Sequence, residues 1–305
     1  TVSSRNSLQR MVDVGHAGVP YDMVFPEVFH PNGERSGGHG FDVVVGNPPW
    51  DRVNVSELDY WSQLDIRILD AATLADRESI QRSLHTPQRL NAWHEVQKRY
   101  DEHHRLRDRL FRFQSGNAEG EATRGSPDVW RLFAERFPSF TARGARIGFV
   151  VPSSFHANEG ALAVRSLYFD KVGVLECFSF ENHKKQFFDI DPRFKFDLVV
   201  AGGGGCAFKA RFYLRDQAWL FGEGRDSESL LFDTETIAQT GGEHRTLVEL
   251  TSTSDLVALV QMAKAGSSFG LLRKTQGIDI RQEINITRGA SSFLNRPDVV
   301  GEDDP

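Results

Sequence analysis

Phe41-Asp42-Val43-Val44-Val45-Gly46-Asn47-Pro48-Pro49-Trp50 is the stretch that decides the fold of this chain. Three consecutive valines favour pleated structure, so residues 41–45 predict a buried strand. Pro48 and Pro49 carry no N–H and end any ladder or helix there. The turn therefore lies at the carboxyl end of a strand, where open α/β sheets place their ligand sites. It presents an amide, two prolines and an indole in succession.

Those residue types suit a flat amine. The exocyclic amine of adenine or cytosine is a poor nucleophile, because its lone pair is delocalised into the ring. Two acceptors that take its two N–H bonds draw the nitrogen towards a tetrahedral geometry and free the lone pair. The side-chain oxygen of Asn47 is one candidate acceptor and the backbone carbonyl of Pro48 the other, with Pro49 limiting the carbonyl's direction. Trp50 offers a face for stacking, a contact worth roughly 1–3 kcal/mol per base. A base inside a duplex reaches such a pocket only when flipped out. Asn47 is a neutral amide, so it positions and polarises and is no general base. A plain turn followed by a core tryptophan is the competing reading of the same four residues.

Working outward, residues 58–113 predict helix with a break near Thr86-Pro87. Trp93, Val96, Tyr100, His103, Leu106, Leu110 and Phe113 recur at spacings of three and four and form one apolar stripe. His103 is expected to pack on that stripe and His104 to be solvated. Arg99, Arg105, Arg107, Arg109 and Arg112 read as a solvated charged face, with a phosphate-contacting helix as the sharper alternative. Residues 114–125 predict a loop. Ser126, Pro127 and Asp128 then start a helix as N-cap, first-turn proline and first-turn acid. Its expected buried face is Val129, Leu132, Phe133, Phe137 and Phe140. Arg143-Gly144 leads into a strand over 146–151, making a parallel crossover. Ser153 and Ser154 are expected to cap a helix over 159–169, since no His or acid stands at a spacing that suggests a nucleophile. A strand is predicted over 173–180. Residues 195–200 and 208–214 predict an antiparallel hairpin, with Gly202 to Gly205 in its turn, where positive φ is cheap. A helix is predicted over 247–265.

Several of these segments, in this order, resemble the amino-group DNA methyltransferases of the large single-chain restriction–modification and phage-exclusion type. Their strand–Asn-Pro-Pro-aromatic motif matches Asn47, Pro48, Pro49 and Trp50. Phe25-Pro26-Glu27-Val28-Phe29 resembles the lead-in to that strand, and residues 145–155 resemble the next core strand. Phe180-Glu181-Asn182-His183-Lys184-Lys185 and Arg193-Phe194-Lys195-Phe196-Asp197 resemble the late strands and their loop. The resemblance covers residues 21–214 and recurs faintly over 281–294. It implies an α/β, Rossmann-like S-adenosylmethionine-dependent methyltransferase fold, a mostly parallel sheet with an antiparallel edge hairpin. It further implies S-adenosylmethionine as cofactor, DNA as partner and transfer to adenine N6. It places Phe180 against the target ring and Lys184 or Lys185 against a phosphate. An ordinary basic turn is the plain alternative for that loop.

The glycine-rich cofactor turn of the family is absent ahead of Asn47, so the cofactor-binding residues are unassigned. Gly33, Gly37, Gly38 and Gly40 lie in a polar loop that no apolar run precedes. The expectation is the carboxyl-terminal part of a catalytic domain. Residues 1–40 would lead in, 41–215 would form the second half of the catalytic domain, and 216–305 would extend towards a target-recognition domain. The cofactor half and the recognition domain would lie on absent segments, and this piece alone would be inactive.

Composition frames these expectations. No apolar run spans a bilayer, no signal peptide is visible, and Cys177 and Cys206 have neither metal-ligand nor disulfide spacing, which together point to the cytoplasm. No metal pattern occurs. The formal charge of −6 argues against broad electrostatic binding of nucleic acid. Cytosine N4 methylation, glutamine-directed protein methylation and a non-catalytic interaction module remain as rival readings.

Overall fold

The computed structural model describes residues 20–33, 38–51, 56–113, 128–266 and 269–278. Its frame is one six-stranded sheet in the order β1-β2-β4-β3-β5-β6. The strands are β1 (Phe41–Gly46), β2 (Thr141–Pro152), β3 (Val174–Glu181), β4 (Lys195–Ala201), β5 (Ala207–Leu214) and β6 (Leu230–Asp233). β1 pairs with β2 in parallel, Gly46 facing Phe149, and β3 pairs with β5 in parallel. β4 is antiparallel to both β2 and β3, and β6 is antiparallel to β5. β1, β2, β3 and β5 therefore share one direction, which β4 and β6 oppose. This is a mixed α/β, Rossmann-like sheet.

Two strand expectations need correction. β4 and β5 do run in opposite directions, but they form no edge hairpin, because β3 lies between them. The glycine turn between them must therefore step over a strand. Gly202, Gly203 and Gly204 all take positive φ there, at 114°, 85° and 64°. β1, expected to be buried, is half open: Val43 and Val45 are 59% and 78% exposed. β1 pairs only with β2 among the described residues, and Val44 alone of its valines packs on the main core.

The crossover from β1 to β2 carries a helical insert and then the helix that docks on the sheet. The insert contains α1 (Glu57–Ser62), α2 (Leu74–Ser83) and α3 (Pro87–Leu110), with Ser56, Thr73 and Thr86 each accepting from an N–H of the first turn. The break at Thr86-Pro87 is thus a helix start with proline in its first turn. Trp61, Ile68 and Trp93 give the insert a small core of its own. The expected stripe on α3 fails at its end, where Leu110 is 65% exposed. His104 is half-buried against Tyr100, with ring centroids 4.1 Å apart, and burial lowers its pKa. The side chains of His103 and Leu106, and the expected cap Ser126, lie outside the described residues.

α4 (Val129–Arg136) lays Trp130, Arg131 and Ala134 on the sheet, followed by Phe137 in the next turn. That corrects the expected face: Phe133 is 43% exposed. Trp130 and Ala134 are four apart and Phe137 three further on, so the largest side chain of the helix sets which stripe turns inward. Tyr168 fixes this packing by donating to the Ala134 carbonyl at 2.8 Å. The helix expected over 159–169 is a composite. A 3-10 turn at Glu159–Ala161 precedes α5 (Leu162–Ser166), and a π-turn at Leu167–Val172 follows it. Asn158, not Ser153 or Ser154, caps its start by accepting from Gly160 N–H.

The two faces of the sheet bury different cores. One joins Ile147, Phe149, Val151, Cys177 and Val199 to α4, α5 and the later helix α6 (Thr234–Thr240). The other is a smaller aromatic cluster of Phe178, Phe180 and Phe196, with Leu214. Residues past 215 are more than an extension: β6 completes the sheet, and Ile237, Leu247 and Leu256 enter the main core. α7 (Thr253–Ala265) begins in this unit. From Gln261 the chain forms a second compact unit holding the end of α7 and helix α8 (Phe269–Gln276). Among the described residues no helix is long and apolar enough to cross a membrane.

Gly202 is the tightest point of the turn over β3. A Cβ there would lie 2.1 Å from the Ala145 carbonyl oxygen, in a conformation that disfavours side chains. Gly202→Ala is expected to destabilise by about 2–4 kcal/mol, read as a lower denaturant midpoint at unchanged slope.

Candidate active site

Where β1 ends, a cleft of about 350 Å³ opens, lined by Asn47, Pro48, Pro49, Trp50, Asp51, Phe188 and Ile190. All four residues of the sequence motif contribute to it. Local packing fixes the turn at both ends. At Gly46 the Phe137 ring comes so close that a Cβ would sit 2.9 Å from its Cζ. After the turn, the Asp51 carbonyl accepts from Val129 N–H at 2.8 Å, which ties the chain to the start of α4. Between these anchors Pro48 is buried and Asn47 is exposed. No other described residue hydrogen-bonds the Asn47 side chain or the Pro48 carbonyl. Among the described residues both acceptors are therefore unengaged.

Trp50 is half-buried. Phe188 meets it edge to face at 5.2 Å and 68°, and Phe196 lies at 6.2 Å and 31°. Its indole Nε1 is buried without a hydrogen-bond partner among the described residues.

The three residues assigned to substrate from the resemblance lie elsewhere. Phe180 is 2% exposed and stacks on Phe196 at 5.4 Å and 12°, beneath the cleft. It supports the aromatic floor and does not line the opening. Lys184 and Lys185 are exposed on the loop after β3 and do not line the cleft; Lys185 pairs with Asp189 at 2.7 Å. Both lysines have positive φ, 55° and 58°, a conformation that costs a non-glycine residue about 1–2 kcal/mol. Phe188, which the sequence reading passed over, is the aromatic side chain that shares the cleft wall with Trp50. The available signal was the Phe187-Phe188 pair inside an otherwise polar loop.

A second group of residues was also missed. His156 and Asp197 are fully buried and meet through Nδ1 and Oδ2 at 2.7 Å. His156 Nε2 faces Glu249 Oε1 at 3.3 Å, and Glu249 Oε2 accepts from Lys195 Nζ at 2.5 Å. Glu249 and Lys195, with Ser153, Arg193 and Phe194, line a second cavity of about 590 Å³. Burial opposes a charge on His156, but the two carboxylates outweigh it and raise its pKa to about 9. Glu249 is lowered to about 2, chiefly by its bond to His156, and Lys195 adds to this against the effect of burial. These partners lie 41 and 93 residues from His156 in sequence, so no local pattern announces them. Among the described residues no group of His, Cys, Asp or Glu could hold a metal ion. Both cysteines are free, and burial together with the Asp197 charge pushes the Cys177 thiol well up.

No protein-family model and no curated protein matches this chain. Solved structures that align with it include a type I restriction–modification complex, at 14% identity and a TM-score of 0.36, covering 89% of this chain and 48% of that one. The type I restriction enzyme EcoKI M protein aligns at 10% identity and a TM-score of 0.31, covering 58% of this chain and 50% of that one. A DrdV–DNA complex aligns at 14% identity and a TM-score of 0.33, covering 58% of this chain and 16% of that one. The chain spans at most half the length of these three structures, and scores this low establish no kinship.

The buried histidine sets a pH window. A group whose folded pKa is raised stabilises fully below its unfolded value, near 6.5, and loses that contribution as pH rises through about 9. Glu249, lowered to about 2, contributes above its unfolded value near 4.5 and loses this as pH falls through about 2. Stability is expected to be flat between the two unfolded values and to fall on the alkaline side. His156→Gln should remove most of the alkaline slope in urea melts between pH 6 and pH 10; an unchanged slope would place its origin elsewhere.

Proposed function

We propose that the cleft at the end of β1 is the amine-binding site of a DNA methyltransferase of restriction–modification or phage-defence type, acting on adenine N6. The observation that carries this reading is the convergence of two unengaged acceptors, Asn47 and Pro48, with an aromatic wall, Trp50 and Phe188. The acceptors would take the two N–H bonds of the amine, and the wall would hold the ring flat. Such a site suits a base that has left its duplex, with the Trp50–Phe188 wall offering one face to stack on. Phe188 takes over the ring contact that the sequence assigned to Phe180. Lys184 and Lys185 would meet phosphate outside the cleft.

S-adenosylmethionine would supply the methyl group. Among the described residues no cofactor-binding residues are assigned. The glycine run, Gly202 to Gly205, leads into β5 and not a helix, and it packs on Ala145 and Arg146. No step is therefore derived through the cofactor, which we assign to residues outside the described ones or to a partner segment. A target-recognition segment and a cytoplasmic location belong to the same proposal.

Labelled S-adenosylmethionine, unmethylated DNA and this chain joined to the segment that carries the cofactor site test the reading. N6-methyladenine is the expected labelled product, and Asn47→Ala should lower its formation by about 10²–10³-fold. Labelled N4-methylcytosine would redirect the site to cytosine, label on protein glutamine would redirect it to an amide, and no label at all would remove catalysis from this chain.

A further inference from the structure

The loop after β3 is wound around one buried side chain. Asn182 is 0% exposed, and each of its amide atoms is used. Its Oδ1 accepts from Phe187 N–H and Phe188 N–H, both at 3.1 Å, and its Nδ2 donates to the Phe188 carbonyl at 2.8 Å. The loop reaches this arrangement through two consecutive lysines at positive φ, where side chains disfavour the backbone. Strain of that kind persists only where the surroundings over-determine it. The result is a division of labour between neighbours. Phe187 turns into the aromatic floor, 5.5 Å from Phe180 and 5.3 Å from Phe196. Phe188 also meets Phe196 edge-on at 5.0 Å, but unlike Phe187 it lines the cleft and meets Trp50.

We propose that Asn182 is the positioning residue of the cleft: by bonding both the N–H and the carbonyl of Phe188 it sets that ring edge-on against Trp50 and so fixes the shape of the aromatic wall the two share. Asn182 touches no ligand itself. Asparagine suits the task because a single short side chain must both accept and donate here. Aspartate cannot donate to the Phe188 carbonyl, and alanine satisfies none of the three bonds. This inference rests on the reading of the cleft as a slot for a flat ring only in its consequence for binding; the geometric part stands apart from it.

Two measurements separate those parts. The chain has five tryptophans, so a nitrogen-15 correlation spectrum holds five indole N–H signals, and Trp50→Phe identifies the one from Trp50. Asn182→Ala should move the Trp50 signal in the same direction as Phe188→Leu and leave Trp61, Trp93 and Trp130 in place. Added to Phe188→Leu, it should move Trp50 no further, since its route is then gone. Asn182→Asp keeps the two accepted bonds and sets an oxygen against the Phe188 carbonyl. It covers an alanine variant that does not fold: it too must move Trp50 and fall silent without Phe188. A Trp50 signal that stays in place, or movement shared by Trp61, Trp93 and Trp130, overturns the proposal.

The second measurement uses a single-stranded oligonucleotide carrying 2-aminopurine, whose emission changes on stacking. The wild-type chain should bind it, and Asn182→Ala and Phe188→Leu should each weaken binding about tenfold, with the double variant no weaker. Wild-type binding that is untouched by Asn182→Ala removes the positioning role. No binding by the wild-type chain removes the base-slot reading, while the indole signal still decides whether Asn182 sets Phe188.

Discussion

Two adjacent prolines govern the site end of this molecule. Pro48 and Pro49 donate nothing to a neighbouring strand, so the β1 ladder has to finish at Gly46, opposite Phe149. Everything nearby is arranged around that stop. Gly46 admits the Phe137 ring, Val129 catches the Asp51 carbonyl, and Pro48 is driven into the interior while Asn47 stays outside. The same pair of prolines that ends the strand also leaves the Pro48 carbonyl without a ladder partner. The structural stop and a carbonyl outside the ladder are thus one feature.

The sheet has two unequal sides. Its larger core is aliphatic and aromatic and is covered by α4, α5 and α6. The smaller side is almost wholly aromatic, and Trp50, Phe187, Phe188 and Trp219 cover it from loops and turns. Aromatic rings packed edge to face tolerate small displacements, and loops carry them with more freedom than helices do. The cleft is on the adaptable side, while the buried His156–Asp197 pair braces β4 from the other.

Much of the frame was legible in residue order. The valine run, the Thr86-Pro87 helix start, the parallel crossover and the glycines at positive φ all follow from short-range chemistry. The four residues of the cleft motif were legible for the same reason. What escaped the sequence was set at long range. Residues 195–201 and 207–214 read as a hairpin because they are adjacent in sequence and separated by glycines. Only the competition of β3 for both of them shows otherwise. Phe180 is placed against the target ring by the resemblance, yet it lies in β3, and strand alternation points it into the aromatic floor. Phe188 was missed because its loop is tied by two hydrogen bonds that Asn182 accepts and one that it donates, and a side chain's bonding cannot be seen in its letter. The His156 network joins three separate segments, with its partners on β4 and at Glu249.

The place of β4 carries a lesson about assembly. It lies between β2 and β3 and runs against both, yet it is made after them. Until residues 195–201 have left the ribosome, β2 and β3 have no direct ladder between them, and the nascent sheet is two pieces with unsatisfied edges. β4 is the keystone of the central part of the sheet, although β5 and β6 are still to follow it. Its insertion joins those pieces, buries Asp197 and brings Phe196 under Trp50 in a single event. The chain is therefore most open to wrong strand pairing during the interval between β3 and β4, when two edges wait for one strand.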